Sequence, residues 1–238
     1  LVGVQGSGKT TAANDFGLPF TDVTQNTPAP ATRALSSKSA VRDFAAEYRD
    51  MSALLDDVCT SSSAETRRVS TNIAAYTLRF AADRIYEAIS RPGGGQRKVR
   101  CTSGLIITGE FPMSKPSDLT RCVIVEVDHQ MRGKEADDRT VSSAVASRFV
   151  QYLAKHFDSV SDEIQLALSA FRADAVAEGG PRQQQHMGEL SCAFQLLLEY
   201  AQKMGAIDDV EMAEWGLWLQ NALGRSLSAN IRLTAKFE

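Results

Sequence analysis

The sequence is poor in the two residue types that most often hold structural metals. Its 238 residues include four cysteines and three histidines. The cysteines are too widely spaced for a CxxC pair or a dense disulfide framework, which favours a reducing compartment and argues against a structural zinc site. The histidines are scattered without the spacing of metal ligands. These residues are Cys59, Cys101, Cys122, Cys192, His129, His156 and His186.

The chain also lacks a long hydrophobic run and an excess of positive charge. No apolar stretch reaches the roughly 18 residues that a membrane span requires, and no signal peptide is visible. We therefore expect a cytoplasmic protein that makes no contact with a membrane. The formal net charge is −3, so any binding of nucleic acid must come from a local basic patch. With 43% hydrophobic residues, the chain can bury a substantial core.

Both ends of the sequence indicate a segment of a longer protein. There is no initiator Met, and the chain begins with LVGV, the apolar stub of what should be a central strand. It ends on IRLTAKFE, a pattern that favours another strand. We therefore expect that a flank precedes Leu1.

Hydrophobic patterning divides the chain into two regions. Residues 1–135 alternate short apolar runs with helical patterns, which is typical of an α/β fold with a central parallel sheet. The predicted strands are PFTDVT, MSALLDDV, GLIITGE and RCVIVEVD, and the predicted helices are KSAVRDFAAEYRD and RRVSTNIAAYTLRFAADRIYEAIS. Residues 136–238 carry helical apolar stripes, interrupted by AEGGPRQQQ at 177–185. The sequence therefore predicts an α/β domain followed by an all-helical region.

The stretch GVQGSGKT, residues 3–10, matches the phosphate-loop pattern G-x-x-x-x-G-K-[ST]. Glycines let successive backbone N–H groups point at phosphate oxygens. Lys9 would bring positive charge to the β- and γ-phosphates, and the Thr10 hydroxyl would ligate Mg²⁺. The start of the following helix would add its dipole. The predicted residues for binding ATP and Mg²⁺ are Gly3, Gly6, Ser7, Gly8, Lys9, Thr10 and Thr11.

Two predicted strands end in residues suited to hydrolysis. ALLDDV ends in Asp56, which would hold Mg²⁺ through its water shell, and Asp57, which would polarise the attacking water. LIITGE ends in Thr108, the candidate to contact the γ-phosphate or the water. Glu110 lies two residues beyond and could face the same site. For each of these side chains, the alternative is a solvated strand end.

Two basic features complete the candidate sites. Arg121 precedes the last predicted strand, and from there it can cross a subunit boundary to stabilise charge on a neighbour's γ-phosphate; the alternative is a surface arginine. Residues 90–100, SRPGGGQRKVR, predict a hairpin tip on a basic stem that suits a nucleic-acid backbone; the alternative is a solvated loop. Its basic residues are Arg91, Arg97, Lys98 and Arg100.

Taken together, the order GVQGSGKT, ALLDDV, the basic insert, LIITGE and LTRCVIVEVD resembles the AAA+-type P-loop ATPases. Within that group it is similar to the superfamily 3 helicases and to the related domain found beside primases on phages and mobile elements. The resemblance covers roughly residues 1–130. It implies a ring-forming ATPase that moves along DNA, most readily single-stranded DNA, with a basic hairpin in the pore.

The sequence departs from this family at two positions. Asp57 stands where these ATPases more often carry Glu, and Thr108 stands where superfamily 3 helicases usually carry Asn. Residues 136–238 resemble the lid of such ATPases, and there Arg182 is a candidate lid arginine. Two other functions stay open: an ATPase or nucleotide switch that remodels protein, and a P-loop kinase acting on a small molecule.

Overall fold

A computed structural model describes residues 1–17, 31–34, 36–58, 63–84, 86–90, 93–110, 113, 115–127, 139–173 and 181–236. The chain is mixed α/β and divides into two compact units. The first comprises Leu1–Asp118 and Val125–Ser143, and the second comprises Leu119–Ile124 and Ala144–Glu238. The predicted domain boundary at residues 135 and 136 lies outside the described residues and stays a prediction.

The first unit combines a parallel sheet, an antiparallel hairpin and helices. Its longer helices are α1 (Lys9–Gly17), α2 (Lys38–Glu47) and α3 (Ala64–Ala82). Its strands are β1 (Ala31–Arg33), β2 (Ser52–Val58), β3 (Glu87–Ser90), β4 (Gln96–Val99) and β5 (Gly104–Gly109). The short α4 (Pro116–Leu119) follows. Helices α2 and α3 are each preceded by an N-cap serine, Ser37 and Ser63, whose side chain accepts a hydrogen bond from a first-turn N–H.

The sheet is parallel, with β2 between β1 and β5. Val2 forms parallel bridges to Gly109 and to Glu126. The start of the chain therefore lies beyond β5, and residues 125–127 lie beyond that. The carboxyl ends of parallel strands meet at one edge of a sheet. The residues that come directly after the first residues of the chain, after β2 and after β5 therefore converge at this edge.

The two faces of the sheet pack against different helices. Successive strand residues point to opposite faces, so neighbouring leucines of β2 enter different core clusters. Leu55 packs with Val41 of α2 and Ile73 of α3, whereas Leu54 packs with Ala13 of α1. These five side chains are buried. The helices thus fix β2, and with it the acids at its end, from both sides.

Two sequence predictions in this unit are wrong in part. The helix predicted through EAIS ends at Ala82, and residues 87–90 form β3, because they pair with β4 instead of continuing α3. Among the described residues 121–127 of the strand predicted over RCVIVEVD, pairing is reduced to a single-residue bridge at Glu126. The strand predicted at PFTDVT lies outside the described residues.

Every element described wholly within the second unit is a helix. These helices are α6 (Phe157–Ala173), α7 (Pro181–Lys203) and α8 (Asp209–Ala235), and they follow α5 (Arg139–Lys155). Helix α7 begins at Pro181, where a missing N–H costs nothing. The strand predicted for IRLTAKFE is wrong over residues 231–235, because these residues belong to α8. In α8, Ser226 and Asn230 donate hydrogen bonds to the carbonyls of Ile124 and Cys122, at 2.5 and 3.0 Å.

None of the helices in the described part of the chain combines the length and hydrophobicity that crossing a bilayer requires.

Candidate functional site

The GVQGSGKT loop joins the first residues of the chain to α1. Gly6 and Gly8 have φ values of 77° and 88°, a region that side chains with a Cβ rarely adopt. Gly3 is required for another reason, since a Cβ there would lie 2.2 Å from the carbonyl oxygen of Val127. The sequence pattern predicted the glycines but not this close approach, because Val127 is distant in the chain.

Lys9 turns back over the loop that precedes it. Its Nζ donates hydrogen bonds to the carbonyls of Gly3 and Val4, both at 2.8 Å, and to Ser7 Oγ at 3.4 Å. Lys9 is 9% exposed and Ser7 is fully buried. The loop carbonyls therefore hold the buried Lys9 ammonium inside the loop. A group that binds an anion in this loop has to be positioned in this way.

Asp56 connects the loop to the sheet. Its Oδ1 accepts a hydrogen bond from Thr10 Oγ1 at 3.0 Å and a short one from Thr108 Oγ1. Thr10 lies in the first turn of α1, Asp56 belongs to β2, and Thr108 lies near the end of β5. Three separate predictions from the sequence therefore meet at a single carboxylate oxygen.

Asp57 has a backbone conformation unusual for its residue type. Its φ is 61°, and the pairing of β2 with β5 shifts register between Leu55 and Val58. Its backbone N–H donates to Thr108 Oγ1 at 3.4 Å. Irregular pairing and left-handed φ values occur often at functional sites, where they redirect a side chain. Asp57 has a positive φ and Asp56 does not, so the two adjacent acids differ in backbone conformation and can have different roles.

Thr108 is 1% exposed. Its hydroxyl donates to the Asp56 carboxylate and accepts from the backbone N–H of Asp57. The predicted contact of Thr108 with the γ-phosphate or the attacking water stays a prediction. Glu110 follows β5 directly, and its backbone N–H donates to the Val58 carbonyl at 3.4 Å. That the Glu110 side chain faces the same site as Thr108 stays a prediction.

The side chains at this edge fit Mg²⁺ together with phosphate oxygens. Magnesium takes oxygen ligands, keeps several waters, and is usually bound through one or two carboxylates plus substrate phosphates. Asp56 and Thr10 supply one carboxylate and one hydroxyl. The described residues contain no cluster of three or more His, Cys, Asp or Glu side chains that could hold a metal alone. This donor set therefore suits a cation that arrives with a nucleotide.

The predicted basic hairpin is confirmed as a β-hairpin. Strands β3 and β4 are antiparallel, with Ala88 opposite Lys98 and Ile89 opposite Arg97. The tip residues 93–95 are glycines with φ near 90° and open space around them. Arg97 and Lys98 are exposed and lie on opposite faces of the hairpin.

The base of the β3–β4 hairpin is anchored to helices. Val99 packs with Ala45 of α2 and Phe80 of α3. Arg100 follows β4 and is half-buried, with its guanidinium 5.6 Å from the centroid of the Tyr86 ring. Arg100 is thus less available to a ligand than the two exposed residues of β4.

The remaining predicted residues lie on other elements or outside the described residues. Thr11 is exposed on α1. Arg121 follows α4 and belongs to the second unit. Arg182 is exposed at the start of α7, also in the second unit. Arg91 lies outside the described residues.

Comparison with known proteins adds one finding about the fold. No protein-family model matches the sequence, and no curated protein matches it. Over 97% of its length, the chain is similar in structure to a solved protein described as SCCmec type IV Cch, an active helicase, with a TM-score of 0.51 and 14% sequence identity. The chain spans 39% of the length of that protein. At this identity the similarity is one of fold, and the fold is helicase-like.

Proposed function

We propose that this chain is an ATP-hydrolysing motor, a DNA helicase or translocase of a phage or mobile-element replication system. The observation that carries the proposal is the convergence of Thr10, Asp56 and Thr108 beside the loop that holds Lys9. A nucleotide-binding loop alone needs no carboxylate tied to a second strand. Hydrolysis does, because the metal and the attacking water must be oriented together.

In this proposal each residue has a separate role. Mg²⁺ held by Asp56 and Thr10 would supply positive charge against the negative charge that develops on the phosphates. Lys9 exchanges its loop carbonyls for phosphate oxygens. Asp56 and Thr10 hold the cation, and Asp57 accepts a proton from the attacking water. Thr108 keeps the two acids in their different orientations.

The hairpin is the proposed contact with single-stranded DNA. Arg97 and Lys98 supply exposed positive charge, and the three glycines allow the tip to adapt. The hairpin joins the amino end of β5, whereas the nucleotide loop lies at the carboxyl end. Motion would therefore travel along the strand, about 20 Å for six residues, and not through a direct contact.

Assembly into a ring is a further part of the proposal, based on the resemblance and on Arg121. If Arg121 acts on a neighbour's nucleotide, Arg121→Ala leaves ATP affinity nearly unchanged and lowers turnover on the order of a thousand-fold. Mixing Arg121→Ala with Lys9→Ala subunits then restores some activity, where an intact arginine meets an intact lysine. A co-assembled mixture that stays inactive at every ratio contradicts this role.

Two alternatives remain. A protein-remodelling ATPase or switch needs the loop and the acids but leaves the basic hairpin without a role. A small-molecule kinase predicts transfer of phosphate to a small acceptor. Unwinding of a forked duplex favours the helicase, ATP turnover indifferent to DNA favours the switch, and phosphorylation of an acceptor favours the kinase.

The nucleotide site itself is tested by titration calorimetry with MgATP. Lys9→Ala should strongly weaken binding, because it removes the buried positive charge from the loop. Arg49→Ala is a matched control, since it removes one positive charge from an exposed position of the same unit. Equal affinity in wild type and Lys9→Ala would overturn the proposal.

A further inference from the structure

The first unit has a second basic feature that no sequence motif marks. A cleft of about 630 Å³ lies along α3, between the start of α2 and the residues before α4. Among the described residues that line it, three are basic and none is acidic. The lining residues used below are Lys38, Asn72, Tyr76, Arg79 and Lys115.

The basic side chains are held in different ways. Arg79 donates to buried Asp118 through Nε at 2.7 Å and Nη2 at 3.0 Å, and this partner raises the pKa of Arg79. Its side chain is still 42% exposed. Lys38 and Lys115 are exposed. Arg79 is therefore oriented by the protein, while the two lysines add charge that Asp118 does not neutralise.

The tyrosine in the cleft indicates what class of group is recognised. The Lys38 ammonium lies 5.4 Å from the centroid of the Tyr76 ring, so a cation covers one face of the ring. The Tyr76 hydroxyl donates a short hydrogen bond to Glu87. Burial and this bond raise the pKa of Tyr76 to about 12. Because Lys38 lies over the ring, the ring is poorly suited to stack on a base, and the recognition elements that remain are positive charges and the Asn72 amide.

The cleft is also linked to the hairpin by a hydrogen bond. Glu87, which accepts from the Tyr76 hydroxyl, is the first residue of β3 and pairs with Val99 of β4. Arg97, two residues before Val99, lies on the same face of β4, because successive strand residues alternate between faces. A polyanion on this face of the hairpin would therefore meet Arg97 as well as the cations of the cleft.

We propose that this cleft binds phosphate groups of single-stranded DNA as the strand leaves the hairpin, with Lys38, Arg79 and Lys115 as the cations. This inference rests on the proposed function, because it takes DNA as the partner. The cleft reads backbone charge and not base identity. It extends the DNA-binding surface from the hairpin to the α2–α3 side of the unit.

The test measures the affinity of the full chain for a fluorescent oligo(dT) strand across a salt series, without ATP. The variant Lys38→Ala/Lys115→Ala is compared with Arg49→Ala/Lys155→Ala, which removes the same charge from exposed positions outside the cleft lining. The log–log salt slope should fall by about 0.7 for each phosphate that the cleft variant no longer binds. The control should keep the wild-type slope. Equal slopes in the two variants overturn the proposal.

A second titration with inorganic phosphate and with a mononucleotide separates the sources of the phosphate group. If the cleft variant fails to bind only these small ligands and keeps the oligo(dT) slope, the cleft serves a small phosphate compound, and the proposal for DNA is wrong.

The outcome is distinguishable from failure of the proposed function. Salt-dependent binding that changes only in the cleft variant supports the cleft even if the protein hydrolyses no ATP. DNA-stimulated hydrolysis with an unchanged slope in the cleft variant supports the motor and contradicts the cleft.

Discussion

Replacing Thr108 with valine tests whether the two acids are positioned from β5. The substitution keeps volume and branching but removes the hydroxyl that donates to Asp56 and accepts from the Asp57 N–H. A hydrogen bond to a charged group contributes about 1.5–3 kcal/mol. Asp56 is half-buried and keeps its bond to Thr10, so we expect the lower end, about 1.5 kcal/mol.

If that energy appears in the transition state, ATP turnover falls about tenfold, because each 1.36 kcal/mol is a factor of ten in rate. The assay is steady-state ATP hydrolysis over a range of Mg²⁺ concentrations. Thr108→Ser, which retains a hydroxyl, should recover most of the activity.

Thr77→Val is the matched control. Thr77 is fully buried, like Thr108, but its hydroxyl donates to the carbonyl of Ile73 inside α3. The same chemical change there should leave turnover unaltered. Wild-type turnover and Mg²⁺ dependence in Thr108→Val would refute the reasoning, and so would an equal decrease in Thr77→Val.

Two further changes test the site and the loop. Asp56→Asn should abolish Mg²⁺-dependent turnover, whereas Asp57→Asn should keep MgATP bound and slow its cleavage, since only the attacking water loses its partner. Calorimetry and turnover measured on both variants check this. An equal decrease in MgATP affinity in the two variants would argue against separate roles. Gly3→Ala should weaken nucleotide binding and lower the melting temperature, because its Cβ would overlap a backbone carbonyl. The control Gly224→Ala, in open space within α8, should instead raise stability by up to about 1 kcal/mol. A Gly3→Ala protein as stable as wild type would contradict the close approach of Gly3 to Val127.

The parts of the fold that sequence predicted well are those fixed by local chemistry. The helix over residues 38–47 follows from its apolar spacing and its serine cap. The hairpin follows from three successive glycines at residues 93–95, which favour a tight reversal. The GVQGSGKT loop needs particular residue types in sequence, so a short window is enough to predict it.

The errors arose where distant partners decide the structure. EAIS fits a helical pattern, but pairing with β4 makes it a strand. IRLTAKFE has strand-like composition, but its residues 231–235 belong to α8. The preceding residue of that helix, Asn230, donates to a carbonyl 108 residues away. Long-range contacts override such weak local preferences.

The sequence predicted the residues of the site one by one, but it did not predict the hydrogen bonds that connect them. Asp56 and Thr108 are 52 residues apart in the chain, and only strand order brings them together. The left-handed φ of Asp57 has no signal in sequence, since it results from a register shift in the sheet. The cleft on α3 was missed because its three cations come from three separate segments.

The most direct test of the central claim is ATP hydrolysis by wild type and Lys9→Ala, measured in parallel with and without single-stranded DNA. A motor of the proposed kind hydrolyses ATP, is stimulated by the DNA, and loses both activities when the Lys9 charge is removed from the loop. Turnover by Lys9→Ala near the wild-type rate, or wild-type turnover that DNA does not change, would contradict the account.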